Sequence, residues 1–493
     1  MDEPVGFGTR ITEIAARTPG RPAVTFAPVH GEETVLSWAE LEARANQTAR
    51  LLATHGAGPG RAVIVALPNG PAHLLAAIGA WKIGAMAVPL KHSLSPRERA
   101  DLIGLVDPAV VVAADWEVPP PAVRLGPADL EAASALDAGP LPPVVPHPGK
   151  AVASGGSTGG AKVIVDPRPW AHSPGKALGI GSLQGLRAGQ TQLVAGALFH
   201  NAPFCWAHFG LCEEHHLVLT DRFDAAHTVD LIERHRVQFL FTAPVMMHRV
   251  MRLPGLPDRD LSSIETLFHT AAPCPAWLKR AWIDRLGPER VIERFGASEA
   301  VGNTFITGAE WLAHPGSVGR GERTHIRILG EDGRDLPPGE VGEIFTRSLD
   351  ATGPTYEYLG APPADTTPDG YTSVGDFGRL DEEGYLYLAD RRSDMINNGG
   401  VNVYPAEVEA VLSEHPAVAD AAVVGLPDAE YGRRVHAVVQ PAAGHRVTEA
   451  ELVDFCRARL SSEKVPRSVE FRDPLPRDAA GKLRRRGLVP HEE

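Results

Sequence analysis

Short runs of β-branched and aliphatic residues alternate, along the first 390 or so positions, with segments whose apolar residues recur at helical spacing. Ala62–Leu67 (AVIVAL) precedes a helix-period segment at Ala72–Ile83; a second such segment spans Pro96–Leu105 and leads into Ala109–Ala113 (AVVVA). Runs that are apolar on both faces read as buried strands, and their alternation with helices predicts an α/β fold with covered sheets. Val291–Arg294 and Val341–Thr346 predict further strands. Val118 to Pro148 is proline-rich without periodicity and predicts a long loop. Past Asp390 the pattern changes: 405–415 and 448–460 read as helices, and 418–425 and 435–440 as strands. That set is enough for a separate small α+β domain of about 100 residues. The expected division is a large domain over 1–389, a boundary at 390–394, and a small domain over 395–493.

Composition narrows the function. The chain has 493 residues, 43% of them hydrophobic, and its 48 Lys plus Arg against 61 Asp plus Glu leave a net charge of −13. Such a surface repels a phosphate backbone, so nucleic acid is not an expected partner. Cys205, Cys212, Cys274 and Cys456 form no CxxC pair and suit a reducing, cytoplasmic setting. The N-terminus, MDEPVGFGTR, is acidic and no apolar signal core follows, so export is not expected. The most apolar stretch, Pro71 to Leu90, is broken by His73, Lys82 and glycines, and reads as a buried helix running into a strand rather than a membrane span. His215 and His216, after Glu213 and Glu214, cannot share one helical face, and a solvated turn is expected there rather than a metal site.

Ser154 to Lys162, SGGSTGGAK, holds four glycines, three hydroxyl residues and a terminal lysine. Glycines let backbone N–H groups converge on an anion, hydroxyls add donors, and the lysine adds charge, which together describe a phosphate cradle. A Walker loop is excluded by Ala161 and Val163. Two other readings stay open at this point: a plain flexible loop, and a G-x-S-x-G nucleophile elbow at Gly155–Gly159 that would make the chain a serine hydrolase using Ser157. No Asp and His stand out as partners for Ser157, so a phosphate-donor role suits it better.

This segment resembles the TSGTTGxPKG signature of acyl-CoA synthetases, luciferases and nonribosomal-peptide adenylation domains, and six further segments follow in that superfamily's order. Leu198-Phe199-His200-Asn201 is similar to its LFH segment at the acyl pocket, and Ala271-Ala272-Pro273 to its GAAP turn beside the nucleotide. Phe295-Gly296-Ala297-Ser298-Glu299 resembles YGxTE, in which the aromatic stacks on adenine, the hydroxyl contacts phosphate and the glutamate holds Mg²⁺. Tyr371 to Asp376 resembles YxTGD, whose aspartate binds the ribose hydroxyls. Asp390 to Ile396, with Gly399-Gly400 and Tyr404 to Glu409, resembles the hinge signature, with Arg391 as a ribose contact. Pro476 to Arg485 resembles PRxxxGKxxR, whose lysine, here Lys482, is catalytic. Departures are Gly155 and Ala161 in the first loop, Thr270 before the second turn, and Ser393 in the hinge, where the superfamily usually has a charged residue.

The resemblance implies a large N-terminal adenylation domain of α/β sheets with a β-rich subdomain, and a small mobile C-terminal lid that swings about residues 390–394. It implies ATP, Mg²⁺ and coenzyme A, with a carrier protein as the alternative acceptor, and a homodimer among the expected assemblies. The residues implied for catalysis are Lys482, Glu299, Ser298 and His200, with Glu299 the metal ligand. The nucleotide or CoA contacts implied are Ser154, Gly155, Gly156, Ser157, Thr158, Gly159 and Lys162 in the first loop, and Ala271, Ala272, Pro273, Phe295, Gly296, Ala297, Asp376, Arg391, Gly399 and Gly400 beyond it. The SGGSTG form of the loop also resembles ligases for bile acids and other polycyclic carboxylates. Ala202, Ala243, Ala297, Val301 and Gly302, with His200 at the mouth, are the expected acyl-side positions, small enough to leave room for a bulky alicyclic acid.

Overall fold

A computed structural model describes residues 4–155, 161–173, 185–351, 353–391, 394–398, 401–428, 432–477, 483 and 485–488. Ala62–Ala66 is buried at every position and sits in a seven-stranded sheet, between the parallel strands Met86–Pro89 and Val110–Ala113. Lys150–Gly155 continues that parallel set, and Ala161–Asp166 and Glu357–Leu359 close one edge in antiparallel fashion. A second sheet of nine strands is parallel through its middle, from Pro22–Phe26 by way of Thr191–Val194 to Val291–Gly296.

Between the two sheets lie the helices Phe7–Arg17, Trp38–Thr54, Pro71–Lys82 and Asn201–Cys212, which share one core with Val63 and Val65 of the first sheet and Val24, Leu217 and Phe239 of the second. The layering explains why the 71–90 stretch is so apolar. Ten residues of Pro71–Lys82 are buried, because a helix held between two sheets has no solvent face, and Met86–Pro89 follows as the predicted strand. Two helix starts are fixed locally, Ser37 with Glu40 and Ser95 with Glu98 forming reciprocal capping boxes.

A four-stranded antiparallel sheet comprises Thr324–Leu329, Gly342–Ser348, Asp376–Leu380 and Leu386–Arg391, and its last strand runs to the expected boundary. Beyond it, Ile396–Asn398, Val401–Val403, Val418–Asp428, Gly432–Pro441 and Ser468–Phe471 form a five-stranded sheet. Helices Pro405–Ser413 and Glu449–Arg457 pack on that sheet through Val408, Leu412, Leu452 and Cys456.

Two expectations are corrected. The proline-rich segment contains a strand, Val123–Leu125, and a helix, Pro127–Ala132, before it becomes loop; pairing with Val110–Ala113 supplies the order that periodicity alone did not show. His215 and His216 are not a solvated turn. His215 is fully buried and bonds to Gln192 Oε1 at 2.9 Å and Arg187 O at 2.7 Å, while His216 starts a strand and meets Thr25 Oγ1 at 2.7 Å. No helix among the described residues is long and apolar enough to cross a membrane.

Burial also makes the fold acid-sensitive. Loss of hydration lowers His73 to about 3 and His208, His215 and His269 to about 4, so each is neutral in the folded protein at pH 6. Unfolding returns them to about 6.5. The unfolded chain therefore binds more protons below that value, and stability is lost as pH falls, by up to about 1.4 kcal/mol per histidine per pH unit. Thermal melts are expected to drop between pH 7 and pH 5; a flat profile there contradicts the assignment.

Candidate active site

Parallel strands of both sheets end at one side of the molecule, and the loops leaving them line a cavity of about 2880 Å³. Open α/β sheets bind ligands at such ends because the loops there diverge and leave a crevice. Strand Thr191–Val194 leads to Phe199 and His200; Phe239–Thr242 to Ala243; Thr266–His269 to Ala271, Ala272 and Pro273; and Val291–Gly296 to Ala297, Ser298 and Glu299. Lys162 reaches the same space from the seven-stranded sheet and Asp376 from the four-stranded sheet. Motifs separated by more than two hundred positions thus face one volume.

Two turns in this wall hold alanines in the left-handed region: Ala271 at φ 83° and Ala300 at φ 53°. Such a backbone costs about 1–2 kcal/mol for a residue with a Cβ, so the surrounding structure enforces the shape of both turns.

Glu299 is buried at 6% exposure, and its two recorded donors crowd on one oxygen. Tyr358 Oη donates to Oε1 at 2.6 Å, and Lys162 Nζ lies 3.4 Å from the same atom. The ammonium also sits over the Tyr358 ring, 4.0 Å from its centre. Burial and the neighbouring carboxylate both push the Tyr358 hydroxyl well above its usual value, so it remains a donor at any working pH. Oε2 meets no protein donor among the described residues, which leaves a hard anionic oxygen beside the cavity. That donor suits Mg²⁺, a cation that takes one or two carboxylates together with phosphate oxygens.

Facing the start of helix Asn201–Cys212 is a charged wall that the motifs did not announce. Lys150 Nζ donates to Asn201 Oδ1 at 2.9 Å and lies 3.9 Å from Asp166; Arg168 holds Asp166 with two bonds, at 2.8 and 2.7 Å. Arg294 Nε donates to Asn303 Oδ1 at 3.1 Å. Below them Trp206 packs on Phe268, with ring centres 4.3 Å apart, and stacks on Phe239 and Phe241.

Of the positions expected from sequence, His200, Lys162, Ala271, Ala272, Pro273, Phe295, Gly296, Ala297, Ser298, Glu299 and Asp376 all line the cavity. So do Ala202, Ala243 and Gly302, whereas Val301 lines a separate, smaller cavity of about 670 Å³. Arg391 ends its strand opposite Asp376, which brings those two backbones together. Ser154 and Gly155 end the strand Lys150–Gly155, leading into the loop. Gly156, Ser157, Thr158, Gly159, Ser393, Gly399, Gly400 and Lys482 lie outside the described residues. Tyr358, Lys150, Asp166, Arg168 and Arg294 were missed. Only Asp166-Pro167-Arg168, a charged pair around a proline at a strand end, offered a local signal.

Comparison with known proteins gives the class. Residues 11–356 match the AMP-binding enzyme family and residues 407–482 the AMP-binding enzyme C-terminal domain. The chain belongs to the AMP-binding enzymes, the adenylate-forming family. It is 33% identical over 498 residues to a feruloyl-CoA synthase of an Amycolatopsis species, with 97% of each chain covered. It is 30% identical to the fatty acid–[acyl-carrier-protein] ligase ScoC of Streptomyces coeruleorubidus, covering 96% of this chain and 94% of that one. An o-succinylbenzoate–coenzyme A synthetase of Bacillus subtilis, in complex with ATP and magnesium, superposes with a TM-score of 0.81 at 26% identity over 99% of each chain. A serine-hydrolase reading of Ser157 gives way to this family.

Proposed function

We propose that this chain is a carboxylic acid–coenzyme A ligase that works through an acyl-AMP. The observation that carries the reading is Glu299, whose carboxylate lies beside the cavity with its other oxygen held by Lys162 and Tyr358. The organisation proposed is an adenylation domain over 1–389, a hinge at 390–394 and a lid over 395–493. Phe295 and the Ala271–Pro273 turn would border the adenine, Asp376 and Arg391 the ribose, and the 154–162 loop with Ser298 the phosphates.

A carboxylate is a poor electrophile, so the acid must first exchange an oxygen's negative charge for a leaving group. Attack of the acid's carboxylate oxygen on the α-phosphorus of ATP forms the mixed anhydride and expels pyrophosphate. Two anions approaching to about 4 Å at an effective dielectric of about 20 repel by about 4 kcal/mol. Glu299 would hold Mg²⁺, whose positive charge would offset that repulsion. Lys162, on the strand that follows the loop, neutralises phosphate charge, Lys482 brings a further ammonium from the lid, and His200 borders the acid. The thiol then attacks the acyl carbon and AMP leaves; Gly399-Gly400 suits the passage of an extended thiol arm close to backbone.

The acid's body is apolar, since Phe199, Ala202, Trp206, Phe241, Ala243 and Met246 line that side of the cavity. A bulky alicyclic or polycyclic acid remains the upper size limit to test, although Trp206 occupies room that the small residues had promised. The acceptor is proposed as free coenzyme A, as in the feruloyl-CoA synthase name, with a carrier protein as the second reading because ScoC is named for one. Acid-dependent exchange of labelled pyrophosphate into ATP tests adenylation. Product formation with CoA against phosphopantetheinylated carrier protein tests the acceptor. Exchange with no acid rejects the reading, and thioester on the carrier alone replaces CoA.

A further inference from the structure

The acyl side of the cavity holds more charge than an apolar acid can use. Lys150, Arg168 and Arg294 line one wall, against the carboxylates of Asp166 and Glu322. Asp166 is committed to Arg168 by two hydrogen bonds and lies within reach of Lys150, and Lys150 is also tied to Asn201. Three cations against two carboxylates leave one positive charge in excess.

Arg294 is the one of the three cations that makes no hydrogen bond or ion pair with a carboxylate among the described residues. It precedes Phe295 on the strand Val291–Gly296, so strand alternation turns it away from the Phe295 side. Among the described residues, the single acceptor bonded to its guanidinium is Asn303 Oδ1, on Nε, and that bond orients the plane while the Nη groups keep their donors. Glu322 faces it electrostatically, as do Arg168 and the Cys205 thiol. Burial works against its charge, so an anion beside it recovers hydration lost by the guanidinium.

We infer that Arg294 is a specificity-determining residue that receives a second carboxylate on the acyl substrate, making the preferred acid a dicarboxylic acid rather than a purely hydrocarbon one. The guanidinium edge offers two parallel donors that match a carboxylate's two oxygens. The one excess positive charge on the wall matches a single negative charge on the tail. Trp206, stacked on Phe239 and Phe241, closes the space beneath and favours a compact body over a long chain. This inference rests on the acid-ligase reading above.

Three matched pairs differ only by methyl against carboxylate at the far end: butyrate and succinate, hexanoate and adipate, 4-methylbenzoate and terephthalate. Pyrophosphate exchange by the full-length wild-type protein is expected to give a kcat/KM at least about tenfold higher for the diacid in one pair or more. In Arg294→Gln the diacid-to-monoacid ratio should fall about tenfold or further, mainly through KM. Arg294→Lys, which keeps charge but loses the fork, should fall between. Monoacids preferred in all three pairs overturn the inference while leaving the ligase reading intact, as does a ratio unchanged in Arg294→Gln. Exchange with none of the six acids, nor with any other acid, overturns both. The wild-type comparison stands even if the variants do not fold.

Discussion

Replacing Lys482 with alanine is expected to slow acyl-AMP formation by about 10³-fold and to leave thioester formation from supplied acyl-AMP within a few-fold of the wild-type rate. The size follows from the repulsion an ammonium offsets: about 4 kcal/mol per pair of unit charges corresponds to roughly three decades in rate. The selectivity follows from when the charge is needed, since only the first half-reaction joins two anions. Single-turnover assays of the two half-reactions check it. Equal losses in both would mean that the lysine supports the structure of the lid rather than the chemistry.

Glu299→Gln is the second large effect. The amide keeps the shape and one acceptor for Tyr358, but removes the anionic oxygen beside the cavity and leaves Lys162 without its counter-charge. Loss of a preorganised charged group at a phosphoryl-transfer site typically costs about 10²–10³ in kcat. The same variant should need more Mg²⁺ to reach half its own maximum. A loss under about tenfold, with an unchanged Mg²⁺ requirement, would place the metal elsewhere.

How much of this the sequence disclosed depends on whether a residue's role is local. Ala62–Ala66 and Pro71–Lys82 were legible because burial on every face leaves an apolar run that needs no partner to be noticed. The places of Ser298, Glu299 and Asp376 on the cavity were legible because short, ordered motifs mark the ends of strands that border it. Tyr358 was not, since its tie to Glu299 spans 59 positions and arises from strand pairing. Arg294 was passed over because a charged residue inside a strand reads as an edge or solvent position, and only the neighbouring strand and helix turn it toward the cavity. His215 failed for the reverse reason. Its polar neighbours suggested water, but the ring is held inside the core between Gln192 and the Arg187 carbonyl.

The cluster at Glu299 has a mechanical side as well. Lys162 and Tyr358 belong to neighbouring strands at the edge of the seven-stranded sheet, with Tyr358 opposite Ile164, whereas Glu299 follows a strand of the nine-stranded sheet. The three side chains therefore act as a latch across the seam between the two sheets. A ligand that draws Oε1 away from the lysine and the phenol undoes the latch as it binds. Affinity for that ligand and cohesion of the seam are drawn from the same hydrogen bonds, so a mutation that tightens one slackens the other.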